Sequence, residues 1–281
     1  MINIKACAKI NLTLEITGVR DDGYHLINSV MQSVDLYDNI KIEKDNILTV
    51  FSTDNTLGDK NDICYKAAVL FFEKAGVDGG AKITVTKTIP LSAGLGGGSA
   101  DAAAVILGLN KLYNEPLKLP DMLEIALNLG ADVPYFFYGG TVYTRGIGEI
   151  CEKINDMPEC FIVLAKREQK KSTKYMYSVI DDCKKPISIN TNKMLSAIKD
   201  GDLFEIAKNT GNAFSVAWDD KTTVDILNSI KPLCVTLSGS GPTHFAIFND
   251  IKSANECLKQ LKSANIDSFI TKPTNKAIIF E

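Results

Sequence analysis

An α+β fold in two units is what this sequence predicts, on three observations. Strand-like alternation and helix-like periodicity follow one another in mixed order, with hairpins, and not as a repeating strand–helix unit. The character of the chain changes around Met157-Pro158, which places a boundary near residue 155 and divides the chain into units 1–155 and 156–281. At 281 residues, 45% hydrophobic and 23% charged, the chain carries enough apolar side chain for a core, which excludes disorder as its main state.

The elements follow in order. Ile2, Ile4, Ala6 and Ala8 alternate with polar or small residues, and Ile10, Leu12, Leu14 and Ile16 keep that parity, so residues 2–16 read as a strand. Gly18 to Gly23 is turn chemistry. A second extended stretch is expected over Leu26–Leu36, then strands between Asn39 and Phe51. A helix from about Ile63 to Ala75 is closed by Gly76, and Lys82–Thr88 alternates as a strand. The glycine cluster Pro90–Gly98 leads into an Ala-rich helix starting near Gly98 or Ser99. Asp121–Leu129 reads as a helix stopped by Gly130, and Thr141–Glu149 as a strand or hairpin. Beyond the boundary come a strand at Phe161–Ala165, a Lys-rich helical region, a polar loop (Asp181–Asn192) and helices to about Ile230. The chain closes with strand Leu233–Leu237, turn Ser238–Pro242, strand Thr243–Phe248, helix Ile251–Ser263 and strands Asp267–Thr271 and Ala277–Phe280.

Charge and composition exclude several functions. Thirty-one Lys plus Arg face 34 Asp plus Glu, a net charge of −3, which argues against a polyanion-coating protein and so against a nucleic-acid partner. No apolar run reaches the roughly 18 residues that a membrane span needs. Seven scattered cysteines without a Cys-x-x-Cys pair, and only His25 and His244 beside them, supply neither a disulfide framework nor a zinc site. The cysteines read as small buried hydrophobes and the compartment as cytoplasmic.

Pro90-Leu91-Ser92-Ala93-Gly94-Leu95-Gly96-Gly97-Gly98-Ser99-Ala100 joins a strand to a helix. Glycines without Cβ let successive backbone N–H groups turn toward one anion, and the helix start adds unpaired donors. No Lys-Ser or Lys-Thr follows, so the Walker pattern fails, and Ser99 stands where a dinucleotide fingerprint needs its third glycine. Such a loop suits a phosphate chain; a flexible turn capped by Ser99 is the plainer alternative. A second glycine turn, Ser238-Gly239-Ser240-Gly241-Pro242, lies between two apolar strands and serves equally as a tight turn or as part of a shared phosphate-lined cleft.

Three separated segments together resemble one superfamily, the GHMP small-molecule kinases, named after galactokinase, homoserine kinase, mevalonate kinase and phosphomevalonate kinase. They are Ala8-Lys9-Ile10-Asn11-Leu12, Pro90–Ala103, and Leu237-Ser-Gly-Ser-Gly-Pro-Thr243. Two further stretches, Thr17–His25 and Gly130–Phe137, narrow the resemblance to the branch that phosphorylates a cytidine-diphosphate-linked methylerythritol on its 2-hydroxyl, in non-mevalonate isoprenoid precursor synthesis. The resemblance implies a two-domain architecture: an N-terminal domain like the second domain of a ribosomal protein, and a ferredoxin-like C-terminal domain. It also implies ATP as co-substrate with Mg²⁺ held mainly by phosphates, and a small-molecule acceptor as the partner. The chain is expected as a monomer or weak homodimer.

The same resemblance distributes roles. Asp132 is the catalytic carboxylate, although its place before Val133-Pro134 suits a helix cap equally well. Lys9, by itself an ordinary strand lysine, stands beside it, and Asn11, two residues along on the same face, reaches the acceptor's hydroxyls. Lys87, together with the loop from Pro90 to Ala100, binds ATP, with Ser99 within reach of a phosphate or magnesium-bound oxygen. Tyr24 and His25 hold the cytosine, with Tyr175 or Tyr177 as the second aromatic, and Gly239 and Ser240 complete the acceptor site. The chain departs from the family at two places: Lys166-Arg-Glu-Gln-Lys-Lys171 replaces a Pro- and Gly-containing turn, and Asp62-Ile63 replaces an Asn-Leu pair on the adenine side. His244 is read as structural. A homoserine or mevalonate kinase, which needs no pyrimidine clamp, and a non-catalytic nucleotide- or RNA-binding module are the competing readings.

Overall fold

The computed structural model describes residues 1–53, 60–169, 171–183 and 187–281. Lys170 of the basic stretch and residues 184–186 of the expected polar loop lie outside the described residues.

The chain opens as one long antiparallel hairpin, β1 (Ile2–Val19) against β2 (His25–Asp45), with β3 (Thr49–Ser52) following. The separate stretches expected between residues 26 and 45 are therefore one strand; register irregularities bend it without breaking it. At the irregularity between Cys7 and Ala8 the side chains exchange faces. Ile4 packs against the helix that follows the glycine loop, in the first core, whereas Ala8, Ile10 and Leu12 pack in a second core. Unbroken alternation in the sequence thus conceals a change of face, and that change turns Lys9 toward the glycine loop.

Helix α1 (Ile63–Ala75) begins at Asp62, whose carboxylate accepts from the Cys64 N–H, and ends at Gly76 in the left-handed region. Then come β4 (Gly80–Thr86), α2 (Gly97–Leu112), α3 (Leu119–Leu129), the single turn α4 (Tyr135–Tyr138), β5 (Thr141–Arg145) and β6 (Ile150–Lys153). Alanines keep α2 thin and close to the sheet. A Cβ on Gly108 would lie 2.5 Å from Ile42 and 2.6 Å from Ile4, so the helix packs nearer than any side chain allows.

Beyond residue 155 come β7 (Phe161–Lys166), α5 (Thr173–Asp181), α6 (Thr191–Asp200), α7 (Leu203–Lys208) and β8 (Gly211–Asn212). A 3₁₀ turn over Ala213–Ala217 follows, then α8 (Lys221–Ser229), β9 (Cys234–Leu237), β10 (His244–Phe248), α9 (Ile251–Ser263), β11 (Asp267–Thr271) and β12 (Ile278–Phe280). β7, β9, β10 and β11 form a four-stranded antiparallel sheet in the order β11–β7–β10–β9. Its first and third strands in chain order are central and its second and fourth are edges, the ferredoxin-like arrangement. The larger sheet runs β12–β1–β2–β4–β3, with β5, β6 and β8 attached. Two of its strands come from beyond residue 155: β8 pairs parallel with β1, and β12 pairs antiparallel with it. No helix among the described residues is long and apolar enough to cross a membrane.

Candidate active site

A cleft of about 460 Å³ is lined by Lys9, Asn11, Lys87, Asp132, Tyr177, Gly239 and most of the segment from Pro90 to Ser99. Helix α2 starts one residue earlier than expected, at Gly97. Its N-cap is Gly96, in the left-handed region at φ 72°, and no side chain caps it. Ser99 is therefore a first-turn residue and not the cap. The opening N–H groups of α2 have no intrahelical acceptor and face the cleft at the positive end of the helix dipole.

Gly96 is required for a second reason. A Cβ there would stand 2.9 Å from Cγ of Lys9 and 2.8 Å from Phe136, so the lysine stem lies in the space that the glycine leaves. The Lys9 N–H donates to the Leu95 carbonyl at 2.9 Å, which ties β1 to the loop. Lys9 is 3% exposed, and its ammonium donates to Asn11 Oδ1 at 2.8 Å and pairs with Asp132 Oδ2 at 3.3 Å. Asp132 lies in the turn closed by Val133 N–H on Gly130 O, half-open to solvent, and α4 after it takes no side-chain cap. The alternative of a capping carboxylate is thereby excluded.

Asn11 is fully buried. Its Oδ1 accepts from Lys9 and from the Gly239 N–H at 2.9 Å, and its Nδ2 donates to Ser29 Oγ. Its amide carries Lys9 on one side and the second glycine turn on the other, and Asn11 also lines the cleft where the acceptor's hydroxyls are expected. That turn is also locked to the phosphate loop. Ser238 Oγ donates to Gly94 O at 3.0 Å, the Thr243 N–H donates to Ala93 O, and a Cβ on Gly94 would stand 2.4 Å from Ser238 O. The two glycine segments form one interlocked floor.

Lys87 lies beneath the loop, paired with Asp38 and with Asp101 Oδ2 at 2.6 Å. Asp38 Oδ1 also accepts from the N–H groups of Thr88 and Ile89, so one buried carboxylate holds both the lysine and the loop entrance. Burial alone would lower Lys87, but Asp101 and Asp38 outweigh it and raise its pKa. Burial, with Asp38 nearby and against the pull of Lys87, pushes the Asp101 carboxyl up to about 8. Asp38 carries no signal in the sequence, because it faces a partner from another element, and Asp101 enters there only as part of the segment Pro90–Ala103.

At the Tyr177 end of the cleft, the His25 and Tyr177 rings stack 4.2 Å apart at 18°, and Phe214 meets Tyr177 edge-on at 5.0 Å. Burial pushes the Tyr177 hydroxyl up to about 12. His25 Nε2 lies 2.8 Å from Asp181 Oδ1. Of the two tyrosines left open by the sequence, Tyr177 lines the cleft, whereas Tyr175 is exposed at 48% and lies beside Lys171. Tyr24 stands on the hairpin turn, 60% exposed, its carbonyl accepting from the Arg20 N–H. Phe214 and Asn212, whose amide donates to the carbonyls of Leu237 and Gly239, escaped the sequence reading. Burial raises the thiols of Cys7, Cys151 and Cys160 to about 12, which removes thiolate chemistry from them.

The family model described as GHMP kinases N terminal domain matches residues 62–140. A 4-diphosphocytidyl-2-C-methyl-D-erythritol kinase of Caldicellulosiruptor saccharolyticus is 42% identical over 267 residues, covering 92% of each chain. One of Clostridium botulinum is 38% identical over 278 residues, covering 96% of this chain and 99% of its own. A crystal structure of 4-(cytidine 5'-diphospho)-2C-methyl-D-erythritol kinase superposes with a TM-score of 0.82 at 27% identity, over 96% of this chain and 98% of that one. Homoserine kinase from Cytophaga hutchinsonii shares the fold at a TM-score of 0.76 and 19% identity, covering 100% of this chain and 97% of its own. With its glycine floor and its Lys9–Asp132 pair facing one cleft, the chain belongs to the 4-diphosphocytidyl-2-C-methyl-D-erythritol kinases, a branch of the GHMP kinases.

Proposed function

We propose that the chain transfers the γ-phosphoryl group of ATP to the 2-hydroxyl of 4-diphosphocytidyl-2-C-methyl-D-erythritol, in the cytoplasm, as a step of non-mevalonate isoprenoid precursor synthesis. The observation that carries the reading is the Lys9–Asp132 pair, held at 3.3 Å at the open start of α2. Residues 1–155 supply the ATP floor and the acting pair; residues 156–281 supply the second glycine turn and the Tyr177–Phe214 wall of the acceptor pocket.

The phosphate chain lies along Pro90 to Ala100, its charge met by the uncapped N–H groups of α2. Asp132 orients the acceptor hydroxyl and takes its proton as the new P–O bond forms and the bond to the β-phosphate oxygen breaks. The transition state is loose and the proton leaves late, so holding the hydroxyl in line matters more than basicity. Lys9, fixed through Asn11, places a positive charge where the equatorial oxygens gather negative charge. Magnesium fits this donor set with few protein ligands. No cluster of three or more His, Cys, Asp or Glu side chains exists among the described residues, but the Ser99 hydroxyl lines the cleft beside the phosphate floor. Ser99 together with the ATP oxygens would hold the ion, which neutralises phosphate charge when bound.

The base of the acceptor enters between the exposed Tyr24 and the His25–Tyr177–Phe214 wall. The test is ADP release with Mg-ATP and four acceptors: the cytidine-diphosphate-linked sugar alcohol, the sugar alcohol without its nucleotide, homoserine and mevalonate. Turnover with the first alone is the expected result; turnover with homoserine or mevalonate sinks the cytosine reading, and ATP binding without any turnover sinks the kinase.

A further inference from the structure

Trp218 is the chain's sole tryptophan and has no part in the chemistry above, yet the second glycine turn is built around it. Its indole N–H donates to the Ser240 carbonyl at 3.0 Å. Gly241, at φ +77°, faces the ring so closely that a Cβ there would stand 2.5 Å from Nε1 and 2.6 Å from Cε2. The indole is itself pinned. Lys171 Nζ donates to the Ala217 carbonyl at 2.9 Å and lies 4.8 Å over the Trp218 ring. Lys171 ends the basic stretch that begins at Lys166, and it supplies the cation that braces the indole.

The turn that Trp218 grips leads directly to the acting lysine. Ser240 follows Gly239, the Gly239 N–H donates to Asn11 Oδ1, and Asn11 Oδ1 is also the acceptor that fixes Lys9 Nζ. On the other side of Trp218, Phe214 in the same short segment packs on Tyr177 in the acceptor wall. One stretch, Asn212 to Trp218, therefore touches both the wall that meets the acceptor's base and the turn that sets Lys9.

We propose that Trp218 is a positioning residue: its indole N–H holds the Ser240 carbonyl, and with it the Gly239–Asn11–Lys9 chain, in the geometry that phosphoryl transfer requires. The proposal rests on the kinase reading and adds to it a residue that touches neither substrate. Remote binding energy raises turnover only where it is converted into position at the reacting atoms, and this chain of contacts is the route available for that conversion.

The deciding variant is Trp218→Phe, which keeps an aromatic ring beside Gly241 while removing the donor and the second ring of the indole. Two readouts are compared with wild type: steady-state kinetics with the cytidine-diphosphate-linked acceptor, and amide hydrogen exchange across Ser238–Thr243. The expected result is kcat lower by about tenfold, with the KM for ATP unchanged, the melting temperature lower by no more than a few degrees and exchange in the turn accelerated. A kcat within about twofold of wild type overturns the proposal, as does a loss confined to the acceptor KM, which would make Trp218 only a binding wall. Should wild type turn over none of the acceptors, the kinase reading fails by itself, and the exchange comparison still decides whether Trp218 holds the turn; unchanged exchange overturns it. Lys171→Met carries the same expectation at about threefold and stands in should Trp218→Phe prove insoluble.

Discussion

Asp132 and Asp101 are both carboxylates of the first unit, and their surroundings give them opposite duties. Asp132 is half-open and 3.3 Å from an ammonium, placed to meet a hydroxyl. Asp132→Asn keeps the shape of the side chain and removes the proton acceptor, so ATP should bind as before while turnover falls by about 10²-fold or more; near-normal turnover would remove Asp132 from the mechanism. Asp101 is buried, with one oxygen on Lys87 and the other without a partner among the described residues. Its folded carboxyl keeps a proton up to about 8, whereas an unfolded one loses it near 3.8. The folded state thus binds more protons across that window, and this group's contribution to stability is lost as pH rises through it. Asp101→Asn has no such proton to lose. Its melting temperature relative to wild type should climb between about pH 5 and pH 8, and a constant difference would show that Asp101 stays ionised throughout.

The elements divide by how locally they are specified. The phosphate loop, the start and stop of α1, and the run from β9 to β11 were legible because turn glycines, caps and alternation act within a few residues. Lys9 was legible as a strand residue, but its direction was not. The change of face after Cys7 depends on where β2 sits across the ladder, and an unbroken parity in one strand cannot report it. The partners of the loops were hidden for the same reason: Asn11 meets Gly239 across 228 residues, and Asp38 meets Lys87 across 49. Tyr177 separates from Tyr175 only once α5 is placed, since two residues along a helix point to different sides. Interlock of the glycine segments gives a prediction at this scale. Gly94→Ala would put a methyl 2.4 Å from the Ser238 carbonyl at a φ of +76°, so the loops must separate. A stability loss of about 1–3 kcal/mol is expected, together with loss of ATP affinity; a variant that binds ATP and melts like wild type would show that the loops move independently.

For the whole molecule, the two sheets share one outcome because the last strand returns to the first. β12 pairs with Ile4–Ala6, the Cys7 N–H donates to Ala277 O at 2.8 Å, and the Thr274 N–H donates to Ser33 O at 2.9 Å. Calorimetry should therefore show a single transition. Deleting residues 273–281 should lower the melting temperature and uncouple the second sheet from the first. Two transitions in the intact chain would mean that β12 and β8 are decorations of an already stable sheet.

The return of β12 also sets a time for the molecule. Lys9 is made long before residues 278–280, which cover the edge of the strand that carries it. The second turn that fixes Lys9 through Asn11 arrives more than two hundred residues later as well. Until then β1 offers an open edge to any neighbouring chain. A nascent fragment ending before the second glycine turn would carry the glycine loop and the Lys9–Asp132 pair and still lack a working cleft, so phosphoryl transfer waits for that turn and for β12 to be made.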